Sequence, residues 1–489
     1  MLKIAMCEQD ITPEGPVRLP GQFYRRISTH VESGIKANIF ACESNGEQLI
    51  IVSLDLTSIT KELYECIKER VSRKCSDIDA DKLIIAATGN LTSPGYGTGK
   101  YYNEHSVSQE YLPVGCKYVP LCENEKYMPE DEYFNFLTTT ISNAIVKTWR
   151  KRANAYIAPG FGRAVVGHSS RVVYDDGTAL MYGITDKATF SEFESGSETG
   201  VELLYVFNSV KNPVGVLANV SCPAQILEHC SFISSDFWGK ARELIKEELG
   251  PHFVTVGLCG AAGCQSPRDL LRFVVPETKD PFLVRDNIQR PRRGDPDMYS
   301  VEGAIEIGER IADTVLRKIR KAQNNMMSDV VLKNEKKILN LPIRKVSETD
   351  KVYAKREFEN YCIKANKKEF DAYDMAVLHK YAGILKRYEV QETTIFHKAE
   401  IHIARLGDIA FATNPFDLFL DYGSRIRARS WAAQTFIIQF ACDKAGYIPT
   451  EKAEKTGHYS AYVASSIVGH EGGNLLVNET LEEIKRLFE

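Results

Sequence analysis

The stretch Cys259-Gly-Ala-Ala-Gly-Cys-Gln-Ser-Pro-Arg-Asp269 follows directly on Phe253-Val-Thr-Val-Gly-Leu258. The upstream run is apolar and β-branched, with the length and composition of a buried strand. Gly260, Ala261, Ala262 and Gly263 permit close backbone approach and positive φ. Ser266 and Pro267 then stand in a loop at the end of that strand, where α/β proteins place ligands. Taken alone, the stretch also reads as a tight corner with a surface serine.

Outward from it, the chain alternates strand and helix. Ile35–Glu43 and Leu49–Leu56 flank a turn at Asn45-Gly46, which predicts a hairpin. A helix over about 58–74 and a strand at Lys82–Ala87 follow. That order predicts an α/β domain with mixed sheets flanked by helices. A Gly/Tyr-rich loop carrying His105 runs to about 125, and long loops of this kind are usually functional or disordered. Beyond it come a helix over about 130–152, a β-rich run over about 154–220, and helices at Asp236–Gly250 and about 300–322. The spacing over 399–440 predicts strands, a helix from Pro415 to about 429, and a strand; Glu479–Leu487 closes as a helix. The expected organisation is one domain, 1–489, with a Lys-rich, mostly helical insertion at 322–398 that includes a strand-like Lys337–Arg344.

With 489 residues, 44% hydrophobic and 26% charged, the chain can bury an ample core. A net charge of −4 gives no bulk field toward nucleic acid, and the lysines of 322–398 are interleaved with Glu335, Glu348, Asp350, Glu357 and Glu359. No nucleotide cofactor is expected, since neither Gly-x-Gly-x-x-Gly nor Gly-Lys-Ser/Thr occurs near Gly260. No signal-peptide pattern and no integral membrane segment are read. The twelve cysteines are scattered without CxxC pairs, which suits reduced thiols and a cytoplasmic location.

Three pieces, Asn219-Val-Ser-Cys-Pro-Ala-Gln225, Ser234-Ser-Asp236 and Gly263-Cys-Gln-Ser-Pro267, together resemble the neutral/alkaline ceramidase superfamily of zinc amidases. The family's matching pieces read as a His-Pro element, Ser-Ala or Ser-Asp, and Gly-Asp-Val-Ser-Pro. Pro415-Phe-Asp417 with Gly423 is similar to its Pro-Gly-Glu helix start; Gly446–Thr450 and Gly457–Ser460 resemble its closing segments. Ile11-Thr-Pro, Pro20-Gly-Gln and Ser53-Leu-Asp55 fit its N-terminal pattern, and the match stops before the family's C-terminal immunoglobulin-like domain.

The resemblance implies a ceramidase-like α/β fold, amide hydrolysis and an active-site role for Ser266. It also implies a zinc held by two histidines, a glutamate and a tyrosine. Here those positions read Gly89 (with Leu91 for the neighbouring histidine), Cys222, Asp417 and Tyr447. Both ligand histidines are gone, so the expectation is less than one equivalent of zinc in a family-type site. Cys222, Asp417 and Tyr447 remain as metal donors, because thiolate and carboxylate are proper zinc ligands.

The catalytic candidates are Ser266, Asp417, Tyr447, His458 and His229. His229 would be a base for the serine or a replacement ligand, against the plainer reading of a solvated loop histidine. Arg171, His105 and Asn90 are the substrate-binding candidates, Arg171 being equally readable as a salt-bridge residue. Cys264 reads as an inert core thiol, and Arg290, Arg292 and Arg293 as a solvated face or an anion clamp. Asp417, read at a helix start, is expected to be held as a carboxylate by the helix dipole. The loop 92–111 is expected to roof the pocket, with His105 or a tyrosine toward Ser266. The functional expectation is hydrolysis of a small polar substrate, an amide if the family chemistry is retained. The alternatives are a metal-free lyase or glycosidase and a non-catalytic ligand-binding homologue.

Overall fold

The structure is a computed structural model that describes residues 1–97, 106–119, 126–272 and 296–489. Among the described residues, eight strands form one mixed sheet in the spatial order Val254–Cys259, Pro213–Val220, Gly200–Asn208, Ala153–Arg163, Lys3–Asp10, Lys36–Ser44, Glu47–Leu54, Leu83–Ala87. The interior pairs are antiparallel, and both outermost pairs are parallel. Parallel neighbours need a crossover, and each end has one: helix Lys61–Lys74 at one, helix Asp236–Leu249 at the other.

Local chemistry sets these elements. Asn45 (φ 53) and Gly46 (φ 82) supply the two left-handed residues of a tight hairpin turn, which pins the register of Lys36–Ser44 on Glu47–Leu54. Thr60 caps helix Lys61–Lys74 by accepting from the Leu63 N–H at 3.2 Å. Helix Asp236–Leu249 buries Phe237, Trp238, Ala241 and Ile245, at about 1.5–3 kcal/mol for each large apolar side chain. Gly257 lies flat against the Trp238 ring, where a Cβ would overlap it.

A second sheet takes the order Leu332–Pro342, Phe396–Leu406, Ile409–Thr413, Gln434–Ile438, with its last pair parallel across helix Leu420–Arg429. Between its first two strands, which pair antiparallel over their full length, the chain makes two helices, Glu348–Ala365 and Ala372–Val390. Each starts in a capping box, Ser347 with Asp350 and Asp371 with Asp374. The segment after Ile438 joins the sheets. Gln439 N–H donates to Cys259 O at 3.0 Å, Ala87 N–H to Phe440 O at 3.2 Å, and Cys442 N–H to Ile85 O at 2.8 Å. The parallel strands ending at Ala87, Val220, Cys259, Thr413 and Ile438 thereby discharge their C-terminal ends into one region.

Three boundaries differ most from the sequence reading. The strand read at Lys337–Arg344 runs Leu332–Pro342 as part of the second sheet. The helix expected from Pro415 begins at Leu420, because Asp417–Leu418 instead form a parallel pair with Tyr447–Ile448. The closing helix is longer, His470–Phe488. Among the described residues no helix is long and apolar enough to cross a membrane.

Candidate active site

Small residues let three backbones meet where the strands end. A Cβ at Gly260 would stand 2.8 Å from Ser221 Oγ, and one at Gly263 would overlap the backbone oxygen of Asp417. Gln439 clasps two of these segments: its Oε1 accepts from the Ala262 N–H at 3.0 Å and the Leu418 N–H at 3.1 Å. Gly263 N–H donates to Leu418 O at 2.8 Å. Gln265–Ser266 pairs antiparallel with His168–Ser169, and Ser170 N–H donates to Cys264 O at 2.9 Å.

Ser266 is fully buried, and its Oγ accepts from the Arg268 N–H at 3.2 Å. The phenol of Tyr182 lies beside that hydroxyl. Tyr182 is held at φ 57 and its N–H donates to Ser170 O at 2.7 Å. A φ of this kind is uncommon outside glycine and persists only where the surroundings enforce it. Tyr182 itself is half-buried, so it carries the edge of this cluster toward solvent while Ser266 lies one layer deeper.

Asp417 and Tyr447 are register partners, and both are half-buried. Protein atoms nonetheless surround them: burial pushes the Asp417 carboxyl up to about 6 and the Tyr447 phenol far above its usual value. Tyr447 also feels Tyr459, Tyr182 and Glu228, which places these groups near one another. The dipole expectation for Asp417 is therefore corrected. The helix starts three residues later, at Leu420, and desolvation outweighs any helix-end field.

Arg268 lies over the Tyr182 ring at 4.6 Å and the Tyr299 ring at 4.1 Å, pairs with Glu228, and donates to Tyr299 Oη at 2.6 Å. His229 stacks on Tyr299 with centroids 3.6 Å apart and planes 16° apart. Burial and then the nearby Arg268 and Arg26 hold its imidazole neutral, down to about 3. His458 accepts the Met181 N–H on Nδ1 at 2.9 Å and so braces the residue before Tyr182. Burial, followed by Arg171 and Lys380, lowers it to about 4. Phe23, Tyr459 and Tyr447 make successive edge contacts at 5.4 and 5.9 Å along the cleft.

Other predicted residues stand elsewhere. Arg171 is fully buried and its guanidinium is occupied by Glu194, Ser460, Thr456 and the Gly457 carbonyl, so it joins segments of the chain and presents no face to an anion. Asn90 is likewise closed: its amide donates to Ser234 O at 2.6 Å and accepts from the Thr92 N–H at 2.9 Å. Tyr96, in the expected roof, donates to Ser58 O at 2.7 Å, and Tyr111 packs on Phe358. His105, Arg290, Arg292 and Arg293 lie outside the described residues. A cavity of about 890 Å³ borders His168, Asp269, Arg272 and Arg310 and contains none of the acid–base groups above.

Gly89 and Cys222, the positions to which the resemblance assigns the zinc histidines, do not fit that ion. Gly89 holds φ +81 with Phe440 and Pro223 each 2.9 Å from where a Cβ would stand, so the space of a histidine is filled. Cys222 is fully buried, its Sγ facing Val166 O at 3.6 Å and Pro223 O at 3.5 Å. Burial drives that thiol well above its usual value, away from thiolate.

Sequence reasoning missed Tyr182, Glu228, Arg268, Tyr299 and Tyr459. Arg268 adjoined the quoted Ser-Pro, and Tyr459 lay inside a matched segment, so both had a local signal. Tyr182 had none, since its positive φ follows from long-range packing.

The sequence matches no family model and no curated protein. Two solved structures share its architecture: neutral ceramidase from Pseudomonas aeruginosa and a ceramidase complexed with C2. Each aligns with a TM-score of 0.66 at 14% identity, covering 99% of this chain and 75% of the other. The mixed sheets, their flanking helices and the convergence of strand ends are thus those of a known architecture, and in fold this chain is neutral-ceramidase-like.

Proposed function

We propose that the chain is a hydrolase that cleaves an amide bond of a small polar substrate in the cleft around Asp417, without a family-type zinc. The observation that supports this most is Asp417 itself. Its carboxyl, pushed up to about 6 by burial, switches from acid to base near neutral pH beside the phenol of Tyr447. A general base works best with a value near the operating pH. In this reading Asp417 takes the proton of the attacking water as the C–O bond forms, and Tyr447 with Tyr182 donates to the carbonyl oxygen as it gains charge. Asp417 then passes the proton to the nitrogen as the C–N bond breaks and the amine leaves. Ser266 sets Tyr182 or, once uncovered, attacks directly. The fold shared with two ceramidases favours the amide; the step itself rests on these side chains.

A second reading has one observation of its own. The row Phe23, Tyr459, Tyr447 gathers aromatic rings of the type that pack on sugars, which suits a metal-free lyase or glycosidase. Turnover on an amide panel against a sugar panel separates the two, and absence of turnover on both leaves the ligand-binding homologue. Ser266→Ala is expected to lower amide turnover at least about 100-fold with the fold intact, the scale of one catalytic group. Unchanged turnover in that variant removes Ser266 from the mechanism.

A further inference from the structure

We propose that Glu400, His402 and Cys442 form a closed metal site of the zinc type, at the seam between the two sheets and separate from the cleft. This inference does not depend on the proposed function. Glu400 and His402 are two apart on strand Phe396–Leu406 and so share a face. Cys442 follows the last strand of the same sheet and is held at φ 63 by its N–H bond to Ile85 O. One ligand atom from each residue lies within 4.8 Å of the other two, and all three residues are buried. His402 Nε2 is 3.0 Å from Glu400 Oε1, and the Tyr64 hydroxyl is 3.3 Å from the same nitrogen, a fourth donor within reach.

Metal–ligand bonds of 2.0–2.3 Å put tetrahedral ligand atoms about 3.3–3.8 Å apart, so the observed spacing needs only small side-chain shifts. Thiolate, imidazole and carboxylate together select zinc over magnesium or calcium. The charge is also accommodated. Lys61 Nζ, 2.7 Å from Glu400 Oε2, already offsets the carboxylate. Binding converts the Cys442 thiol to a metal-bound thiolate and releases its proton to solvent, leaving one net positive charge. No ligand position faces solvent, so the role is structural. The ion would tie helix Lys61–Lys74 and edge strand Leu83–Ala87, through Tyr64 and Cys442, to the second sheet.

The test uses the full chain, expressed with zinc in the medium and dialysed against metal-free buffer. Elemental analysis should find about one equivalent of zinc, because a closed site loads on folding and releases slowly. The zinc should persist in Asp417→Ala and be lost in Cys442→Ala and in His402→Gln. Cobalt(II) exchanged into the wild type should give a thiolate-to-cobalt charge-transfer band, a readout that needs no variant to fold. A strong chelator should lower the wild-type melting temperature and leave Cys442→Ala unmoved. The proposal is overturned by a wild type that holds no zinc, gives no cobalt–thiolate band and melts independently of chelator. It is also overturned by zinc retained in Cys442→Ala, or lost in Asp417→Ala, which would return the metal to the cleft.

Discussion

Asp417 and Tyr447 face each other in a two-residue parallel ladder, with Asp417 N–H on Gly446 O at 2.9 Å and Phe419 N–H on Ile448 O at 3.3 Å. The ladder fixes an acid beside a phenol by backbone bonds alone, so neither side chain is needed to hold the other in place. If Asp417 is the base, kcat/KM should rise about tenfold per pH unit below about 6 and level off above it. Asp417→Asn should remove that limb together with most of the activity. A flat profile between pH 5 and 8 in the wild type would exclude Asp417 as the base.

Asp236 makes a stability prediction of the opposite kind to a salt bridge. Fully buried where helix Asp236–Leu249 begins, its carboxyl is raised by burial from 3.8 to about 7, although it accepts from the Leu227 N–H at 3.0 Å. The folded chain therefore binds more protons than the unfolded chain between about pH 4 and 7, and this group's contribution is full below pH 4 and lost as pH rises through 7. Asp236→Asn removes the charge but keeps only one of two acceptor oxygens, since Oδ1 also accepts from the Phe237 N–H at 2.8 Å. Urea unfolding should find the variant gaining on wild type by roughly 2–4 kcal/mol between pH 4 and pH 8, since the lost acceptor costs the same at both. His229 and His458, depressed to about 3 and 4, act in the other direction: their contribution is full above about 6.5 and is lost as pH falls toward those values.

Arg171 and Glu194 form an ion pair with side-chain exposures of 0% and 3%, which decides between a structural and a recognition role. Arg171→Met leaves a buried carboxylate alone and should cost about 3–5 kcal/mol, while adding Glu194→Gln should recover much of it. Thermal melts of the single and double variants test this. A single variant of unchanged stability with a raised KM would return Arg171 to substrate binding.

Placing histidines at Gly89 and Cys222, where the ceramidase resemblance expects zinc ligands, should fail. Gly89→His places a side chain where Phe440 and Pro223 already stand, at a φ of +81. The expected result for Gly89→His with Cys222→His is a loss of at least about 1 kcal/mol, from the left-handed backbone alone, and no gain of zinc. Stoichiometric new zinc in the double variant would show that the cleft can reopen.

The sheet skeleton was legible because its signals are local. Asn45-Gly46 fixes a hairpin and Phe253–Leu258 is strand-like in composition; the hairpin pairs as expected, and the strand runs Val254–Cys259, within a residue. The site was less legible, since its geometry comes from pairings remote in sequence. Nothing near Asp417 announces that Tyr447 will pull it into a ladder and delay the helix to Leu420. Arg171 could be read as a recognition residue only until Glu194, Ser460 and Gly457 closed on it from other segments. Glycine at 89 was visible; that Phe440 occupies the space beside it was not.

The helices Glu348–Ala365 and Ala372–Val390 leave and re-enter the second sheet at Pro342 and Phe396, which are themselves ladder partners. The inserted pair can therefore lengthen, shrink or be exchanged for a short turn while every strand of the two large sheets keeps its neighbour; only the short pair of Glu369–Phe370 with Lys117–Tyr118 would go with it. Yet His379, on the second of these helices, makes an edge contact with Phe23 at 5.7 Å, the first ring of the aromatic row along the cleft. The segment with the greatest freedom to drift is thus the one that touches the aromatic row, and a lineage can change what lies against those rings without reopening the question of how the chain folds.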